Sequence, residues 1–169
     1  MKYVLITGVS SGIGKAIKEI YLDNGYCVIG LDIKKTDSFN KLISFSCDIT
    51  KEDELVNVSK YLKENDIILD MIINVAGIHK MASFVENDFK DMKKVIDVNL
   101  LGTMCVNKTF YPYLSKTGRI IITTSEVASF PPLPYNGLYS VSKIALDAYA
   151  QGLRQELNLL GQKVITIRP

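Results

Sequence analysis

The sequence predicts an α/β fold in which a doubly wound parallel sheet carries helices on both faces. Short runs of apolar, β-branched residues alternate along the chain with longer stretches of helical period. The short runs are apolar throughout rather than at every second position, which is typical of strands buried on both faces. Strands and helices that alternate in this way form parallel sheets through right-handed crossovers.

The positions of the apolar runs and of the helical stretches predict the individual strands and helices. Strands are predicted at residues 3–7, 26–32, 44–48, 69–77, 119–125 and 163–167. Helices are predicted at residues 12–24, from about residue 50, at 88–114 and at 139–160. No repeat or linker interrupts the series, so residues 1–169 are interpreted as a single domain.

The first two helices carry further local signals. The apolar stripe predicted for the first comprises Ile13, Ala16, Ile17 and Ile20. Gly25 is placed to end that helix. Thr50 with Asp53 resembles a capping box that opens the second helix. The side chains that align on the second helix are Leu55, Val58 and Leu62.

Composition excludes several classes of function. The 169 residues include 20 Lys and Arg against 18 Asp and Glu, a formal charge of +2 that does not favour nucleic-acid binding. Three cysteines without a C-x-x-C pair are expected to be reduced and buried, and a single histidine leaves a metal site without ligands. No apolar run is long enough for a signal peptide or a membrane span, so a cytoplasmic location is expected.

A glycine-rich turn joins the first strand to the first helix at residues 7–14, T-G-V-S-S-G-I-G. Glycines let a phosphate approach the backbone, and the helix offers its unpaired N–H groups to a pyrophosphate. The residues predicted to bind a dinucleotide here are Gly8, Ser10, Ser11, Gly12, Ile13 and Gly14.

Asp32 ends the second strand, eighteen residues after Gly14, where a carboxylate can accept hydrogen bonds from an adenosine ribose. Its charge would repel a 2′-phosphate, and no basic side chain precedes Gly12 in the turn. NAD is therefore predicted in preference to NADP. Lys34 and Lys35 favour the opposite choice if their loop folds back over the site.

Tyr139 and Lys143 are spaced i and i+4 on one face of a predicted helix. Ser125 lies at the carboxyl end of the preceding strand, the edge at which such sheets bind ligands. A neighbouring ammonium favours the phenolate and lowers the pKa of the tyrosine. A phenol tuned in this way can take a proton from an alcohol or return one to a carbonyl.

Ordered motifs over nearly the whole chain resemble the short-chain dehydrogenase/reductase family, whose members have a Rossmann fold. They are T-G-x-x-x-G-x-G at residues 7–14, Asp32, Asp48-Ile49, N-V-A-G at 74–77, Asn99, Ser125, Tyr139-x-x-x-Lys143 and Arg168-Pro169. The resemblance implies hydride transfer between NAD(H) and a secondary alcohol or ketone, with no metal. It also implies a homodimer or homotetramer for a full-length protein.

Roles follow from the resemblance one position at a time. Tyr139 would be the general acid/base, and Lys143 would bind the nicotinamide ribose. Ser125 would hold the substrate oxygen, and Asn99 would anchor a water of a proton relay. The residues matched to the adenosine part of the cofactor are Asp48 and Ile49 at the adenine, and Asn74, Ala76 and Gly77 beside the ribose.

The sequence departs from the family pattern twice. Val75 replaces the second asparagine of the usual N-N-A-G, which is expected to alter stability slightly and leave the chemistry intact. The sequence stops at Arg168-Pro169, before the segment that covers the substrate and the last strand in the family. A C-terminally truncated piece of a longer chain is therefore expected, with weak NAD binding and poor turnover.

Two other functions stay open. A sugar-nucleotide epimerase or dehydratase shares Y-x-x-x-K, although those enzymes usually space the glycines as G-x-x-G-x-x-G. A non-catalytic NAD-binding sensor or scaffold would also keep this fold.

Residues near the predicted pocket suggest its lining. His79 is interpreted as a loop residue at the pocket's edge, with a catalytic role as the alternative. The loop at residues 130–135, F-P-P-L-P-Y, is predicted to form one wall and points to an apolar or mixed substrate.

Overall fold

The computed structural model describes residues 1–169 and contains one parallel six-stranded sheet in the order β3-β2-β1-β4-β5-β6. The strands are β1 (Tyr3–Thr7), β2 (Cys27–Asp32), β3 (Leu42–Ser46), β4 (Leu69–Asn74), β5 (Leu114–Thr123) and β6 (Lys163–Ile167). The predicted fold class is confirmed. The strand order reverses between β1 and β4, and a cleft opens there at the carboxyl ends of the strands.

The helices are α1 (Gly12–Asp23), α2 (Glu52–Glu64), α3 (Phe89–Ile96), α4 (Thr103–Phe110) and α5 (Gly137–Asn158). A π-helical segment, Asp97–Gly102, joins α3 to α4, so the long helix predicted at 88–114 is wider in the middle and ends earlier. Short 3₁₀ turns lie at Tyr111–Tyr113 and Glu126–Ser129. None of the helices combines the length and the apolar composition needed to cross a membrane.

The core lies on both faces of the sheet. A cluster of 20 buried residues, among them Leu5 and Ile72, packs one face against α2, α4 and α5. A smaller cluster of seven, among them Val4 and Ile73, packs the other face against α1. Adjacent residues of one strand enter opposite clusters, which explains why the strands are apolar throughout.

Helix α1 ends as predicted but buries a different face. Gly25 has φ of +83°, and the N–H groups of Gly25 and Tyr26 donate to the carbonyls of Leu22 and Tyr21. The predicted apolar stripe is right only at Ile17, which packs against the smaller core cluster, since Ile13 and Ile20 are 47% and 59% exposed. The fully buried positions are Gly14 and Lys18. The close approach of α1 to the glycine turn sets its rotation, and this overrides the apolar pattern.

The predicted capping box at the start of α2 is also wrong. The N-cap is Lys51, which has no side-chain cap. The Thr50 hydroxyl donates instead to the Asp48 carboxylate (2.7 Å), and the Glu54 carboxylate accepts from the Asp48 N–H (2.7 Å). The local polar groups stabilise the turn before the helix rather than its first N–H groups. The aligned residues Leu55, Val58 and Leu62 are buried as predicted.

Candidate active site and cofactor cleft

Two adjoining cavities occupy the cleft at the carboxyl ends of the strands. The larger, of about 640 Å³, lies between the β1–α1 turn, the ends of β2 and β4, and α3. The smaller, of about 190 Å³, lies between the ends of β4 and β5 and the first turn of α5. Both are lined by Ile13, Val75, Gly77 and Ile78, so they form one continuous cleft.

The backbone alone forms the turn between β1 and α1. Gly8 and Gly12 have φ of +77° and +53°, which favours glycine. A Cβ on Gly14 would lie 2.1 Å from the Gly8 carbonyl oxygen, whereas a Cβ on Gly12 would meet nothing within 4 Å. The first helical hydrogen bond is donated by Lys15, and Ser11 supplies no side-chain cap. The N–H groups of Gly12, Ile13 and Gly14 are therefore available to an anion in the larger cavity.

Asp32 links this turn to the end of β2. Its carboxylate accepts from the Ser10 N–H and from the Lys34 N–H, each at 2.9 Å. Asp32 makes no ion pair. Its negative charge therefore lies in the larger cavity without an ammonium within ion-pair distance, although Lys34 and Lys94 also line that cavity.

The far end of the larger cavity has apolar walls. Ile49 lines it together with Val98, a residue of the π-helical segment. Asp48 lies at the edge, where Thr50 holds one carboxylate oxygen. Cys47 also lines the cavity; burial, helped by nearby carboxylates including that of Glu54, raises the pKa of its thiol to about 12. Cys47 is therefore a neutral packing group at ordinary pH.

The end of β4 is fixed against β1. The Thr7 hydroxyl oxygen accepts from the N–H groups of Val75 (3.1 Å) and Ala76 (3.0 Å), and Ala76 lines the larger cavity. Asn74 lines neither cavity. It is buried, and its amide donates to Asn107 (2.8 Å) behind the sheet. Asn74 is therefore the one predicted cofactor-binding residue that the fold directs away from the cleft.

Asn99 lies in the π-helical segment and is fully buried. Its side chain accepts from the Ile78 N–H (2.7 Å) and donates to the Ile78 carbonyl (2.9 Å) and the Ser142 hydroxyl (3.0 Å). It thereby joins the loop after β4 to α5. The extra residue of a π-turn commonly marks a functional position, and here it directs an amide inward. The water relay remains a prediction, because the side chain already has protein partners.

Lys143 is buried between β5 and the loop after β4. Its ammonium donates to the Thr123 carbonyl (2.9 Å), and a Cβ on Gly77 would lie 3.6 Å from it. That is an ordinary contact distance, whereas the same Cβ would lie 3.3 Å from Asn99 Oδ1, so glycine at position 77 leaves room chiefly for Asn99. Burial lowers the pKa of Lys143 to about 8, since no carboxylate lies beside it. The side chain is 4% exposed and is still mainly protonated at pH 7.

Ser125 and Tyr139 line the smaller cavity together with Lys143. Ser125 follows β5, and its hydroxyl oxygen accepts weakly from the Val127 N–H (3.4 Å), which leaves the O–H free to donate. The ring of Tyr139, on the first turn of α5, has its centroid 5.7 Å from the Lys143 ammonium. A phenol, a hydroxyl and a buried ammonium therefore converge on one small space.

Some residues of the site have no signal in the sequence. The Thr123 carbonyl, which holds Lys143, is a backbone group. Lys94 and Val98 reach the larger cavity from one face of a helix that has no recognised motif there. His79 lines the smaller cavity as predicted, but its contacts with Asn136 and Tyr139 depend on how two distant loops meet.

The residues of the cleft fit a nicotinamide dinucleotide. The open position over Gly12 and the free N–H groups of α1 suit a pyrophosphate, and Asp32 suits a ribose diol. The apolar walls at Ile49 and Val98 suit a flat base. The volume of the larger cavity is in the range of ordinary cofactor sites.

Comparison with known proteins gives a consistent result. The family model described as short chain dehydrogenase matches residues 2–169. An NADPH-dependent 1-acyldihydroxyacetone phosphate reductase of Schizosaccharomyces pombe is 33% identical over 172 residues, covering 98% of this chain and 58% of the relative.

Solved structures agree. A short chain dehydrogenase family protein of Francisella tularensis superposes with a TM-score of 0.92 at 30% identity, covering all of this chain and 69% of the other. A short chain dehydrogenase of Leptospira borgpetersenii with bound NAD⁺ gives a TM-score of 0.91 at 28% identity, covering 99% and 70%. The chain therefore spans somewhat under 60% of the length of the fission-yeast relative and about 70% of these two structures.

Proposed function

The chain belongs to the short-chain dehydrogenase family, and from that premise we propose that it interconverts a secondary alcohol and a ketone using NAD(H). The observation that carries the proposal is the smaller cavity, in which Ser125, Tyr139 and Lys143 meet beside the glycine-lined cleft. A nicotinamide dinucleotide held in the larger cavity would supply the hydride acceptor or donor.

The protein's own task is then to move one proton and to hold one oxygen. Tyr139 takes the hydroxyl proton of an alcohol or returns a proton to a ketone oxygen. The Ser125 O–H donates to the same substrate oxygen and stabilises the charge that develops on it. The Lys143 ammonium, fixed by the Thr123 carbonyl, keeps a positive charge near the phenol.

We propose NAD rather than NADP as the cofactor. Support comes from Asp32, whose carboxylate is held by two N–H groups and makes no ion pair. A 2′-phosphate placed beside it would meet a like charge. Lys34 is the opposing consideration, because it also lines the larger cavity. The fission-yeast relative is named as NADPH-dependent and the Leptospira structure holds NAD⁺, so relatives alone do not decide the choice.

The substrate proposed is a ketone or alcohol with an apolar group next to the reacting carbon. Phe130, Leu133 and Tyr135, in the loop between Ser125 and Tyr139, are 62–68% exposed. None of the three lines either cavity, so the pocket wall predicted at residues 130–135 is not formed by this loop. As exposed apolar groups between Ser125 and Tyr139, they would favour an apolar substituent that extends out of the smaller cavity. The fission-yeast relative is named for a ketone that carries an acyl group, which supports this choice.

The activity is tested with NADH and a series of 2-alkanones of increasing chain length, followed by loss of NADH absorbance. We expect turnover that improves with chain length. Tyr139→Phe should lower kcat by roughly 10²- to 10⁴-fold, because only the proton carrier is lost. Tyr61→Phe is the control, since that ring packs on Phe45 outside the cleft. Binding of NADH without turnover of any carbonyl would favour the sensor interpretation instead.

The cofactor preference is tested by comparing KM for NAD and NADP in the wild type and in Asp32→Asn. The amide keeps an acceptor for one N–H and removes the charge. We expect a preference for NAD that falls by about tenfold in the variant, the size of one charge contact near a surface. A wild type that prefers NADP would contradict the role assigned to Asp32.

A further inference from the structure

Two loops meet over the smaller cavity. The loop after β4 contributes His79 and Ala82, and the residues that precede α5 contribute Tyr135 and Asn136. The Ala82 N–H donates to the Tyr135 carbonyl at 2.8 Å. His79 Nε2 lies 2.7 Å from Asn136 Oδ1. We call these two hydrogen bonds the loop staple.

The loop staple has a conformational cost. Tyr135 has φ of +62°, a left-handed conformation that a bulky side chain rarely adopts. Asn136 is the N-cap residue of α5, and asparagine there normally accepts from an N–H of the first helical turn. Its side chain makes no such bond, and its oxygen lies against His79 instead. The loop staple is therefore accompanied by a strained backbone at Tyr135 and by an α5 N-terminus without a side-chain cap.

The staple brings His79 to Tyr139. The imidazole and phenol ring centroids are 4.5 Å apart, with the planes tilted by 52°. Asn136 lies three residues before Tyr139 at the start of the same helix, so one helical turn connects the staple to the phenol. Both rings line the smaller cavity with Ser125 and Lys143. The imidazole therefore restricts where the phenol can turn.

We propose that His79 is a positioning residue, which Asn136 holds in place so that the Tyr139 phenol faces Ser125 and the Lys143 ammonium. The inference rests on the proposed function, because that function makes the orientation of Tyr139 important. The contact between His79 and Tyr139 is observed whatever the function is. In this arrangement Nε2 carries hydrogen and donates to Asn136 Oδ1. The imidazole ring limits the rotation of the Tyr139 phenol by contact, and it exchanges no proton with it.

The direct test observes the Tyr139 phenol itself. Protein labelled with ¹³C at the tyrosine Cζ is compared with its variants by NMR at pH 7, where Lys143 is mainly protonated, and Tyr139→Phe identifies the Tyr139 signal. In His79→Ala and Asn136→Ala, we expect this signal to shift in the same direction. The reason is that a phenol free to turn spends less time near the Lys143 ammonium. His79→Phe keeps a ring but no donor, and should give a smaller change of the same kind.

Kinetics test the coupling between the two residues. With a 2-alkanone and NADH, each single alanine variant should lower kcat by roughly tenfold, as expected for one lost hydrogen bond that orients a reacting group. KM for NADH should change less than twofold. The double variant should be no worse than either single variant, because the two side chains act as one unit.

Lys80→Ala is the matched control, since Lys80 follows His79 in the same loop but pairs with Asp91. It should leave the Tyr139 signal and kcat unchanged. The proposal is overturned if His79→Ala or Asn136→Ala leaves the Tyr139 shift unchanged, or if the effects of the His79 and Asn136 variants on kcat simply add. Failure of the proposed function would appear differently, as full turnover by Tyr139→Phe.

Discussion

The two halves of the cleft are built in different ways. The end of the larger cavity at the β1–α1 turn is shaped mainly by backbone: two left-handed glycines, the N–H groups that begin α1, and a carboxylate held by two N–H groups. The smaller cavity is shaped by side chains, among them a buried ammonium, a phenol, a hydroxyl and an imidazole. In the first half the glycines contribute because they have no side chain. In the second half each residue contributes through the functional group of its side chain.

This difference determines what damages each half. Adding atoms at Gly14 should harm the backbone-built half, because the turn has no room for them at that position. Removing a functional group should harm the side-chain half, with little change in the fold. Substitutions that add or remove single groups can therefore test whether the two halves are independent.

The largest effect is expected from Gly14→Ala. The new Cβ would lie 2.1 Å from the Gly8 carbonyl oxygen and 2.7 Å from its carbon, so the backbone of the turn must open. We expect a loss of about 3 kcal/mol or more in the free energy of unfolding, the upper end for overpacking. Binding of NADH should be lost with it. Urea unfolding and NADH fluorescence measure the two effects.

Gly152→Ala is the control for this substitution. Gly152 lies in α5, is exposed, and has open space where a Cβ would be added. Alanine there should stabilise the protein by up to about 1 kcal/mol through its higher helix propensity, with NADH binding unchanged. If Gly14→Ala behaved like Gly152→Ala, the turn would be more tolerant than its geometry indicates.

The sequence predicted most of the backbone-built half because its determinants are local. Strands buried on both faces have a recognisable composition, and β1 and β6 coincide with their predicted ranges. The glycine turn lies within eight consecutive residues. Errors arose where tertiary contacts outweighed the local pattern, as on α1, where Gly14 packs closely against the turn and Ile13 lines the cleft instead of the core.

The side-chain half was predicted only in part. Spacing within one helix placed Tyr139 beside Lys143, and both line the smaller cavity. The motif at residues 74–77 did not indicate that the Asn74 side chain would point behind the sheet to Asn107. The same residues are compatible with a side chain that points into the cleft. The contact between His79 and Asn136 joins residues that are 57 positions apart. No periodicity or motif describes such a pairing, because it depends on how two loops fold over a completed sheet.

A smaller effect, specific to the side-chain half, is expected from Lys143→Met. In the wild type, burial lowers the pKa of Lys143 from 10.5 to about 8. Between these values the folded protein has released a proton that the unfolded chain still binds. The free energy of unfolding therefore rises with pH in this window, since the unfolded state binds more protons. Below about pH 8 both states are protonated, and this contribution no longer varies.

Methionine has no titrating group, so the comparison isolates Lys143. Other groups, such as Cys47 with its raised pKa, titrate in the alkaline range but are common to both proteins. We expect the wild type to gain on the order of 2 kcal/mol relative to Lys143→Met between pH 8 and 10.5, about one pKa unit of interaction being 1.4 kcal/mol. Urea unfolding at several pH values measures it. A difference that stays constant with pH would mean that Lys143 is solvated in the folded protein. The charge held beside Tyr139 would then be weaker than the buried geometry implies.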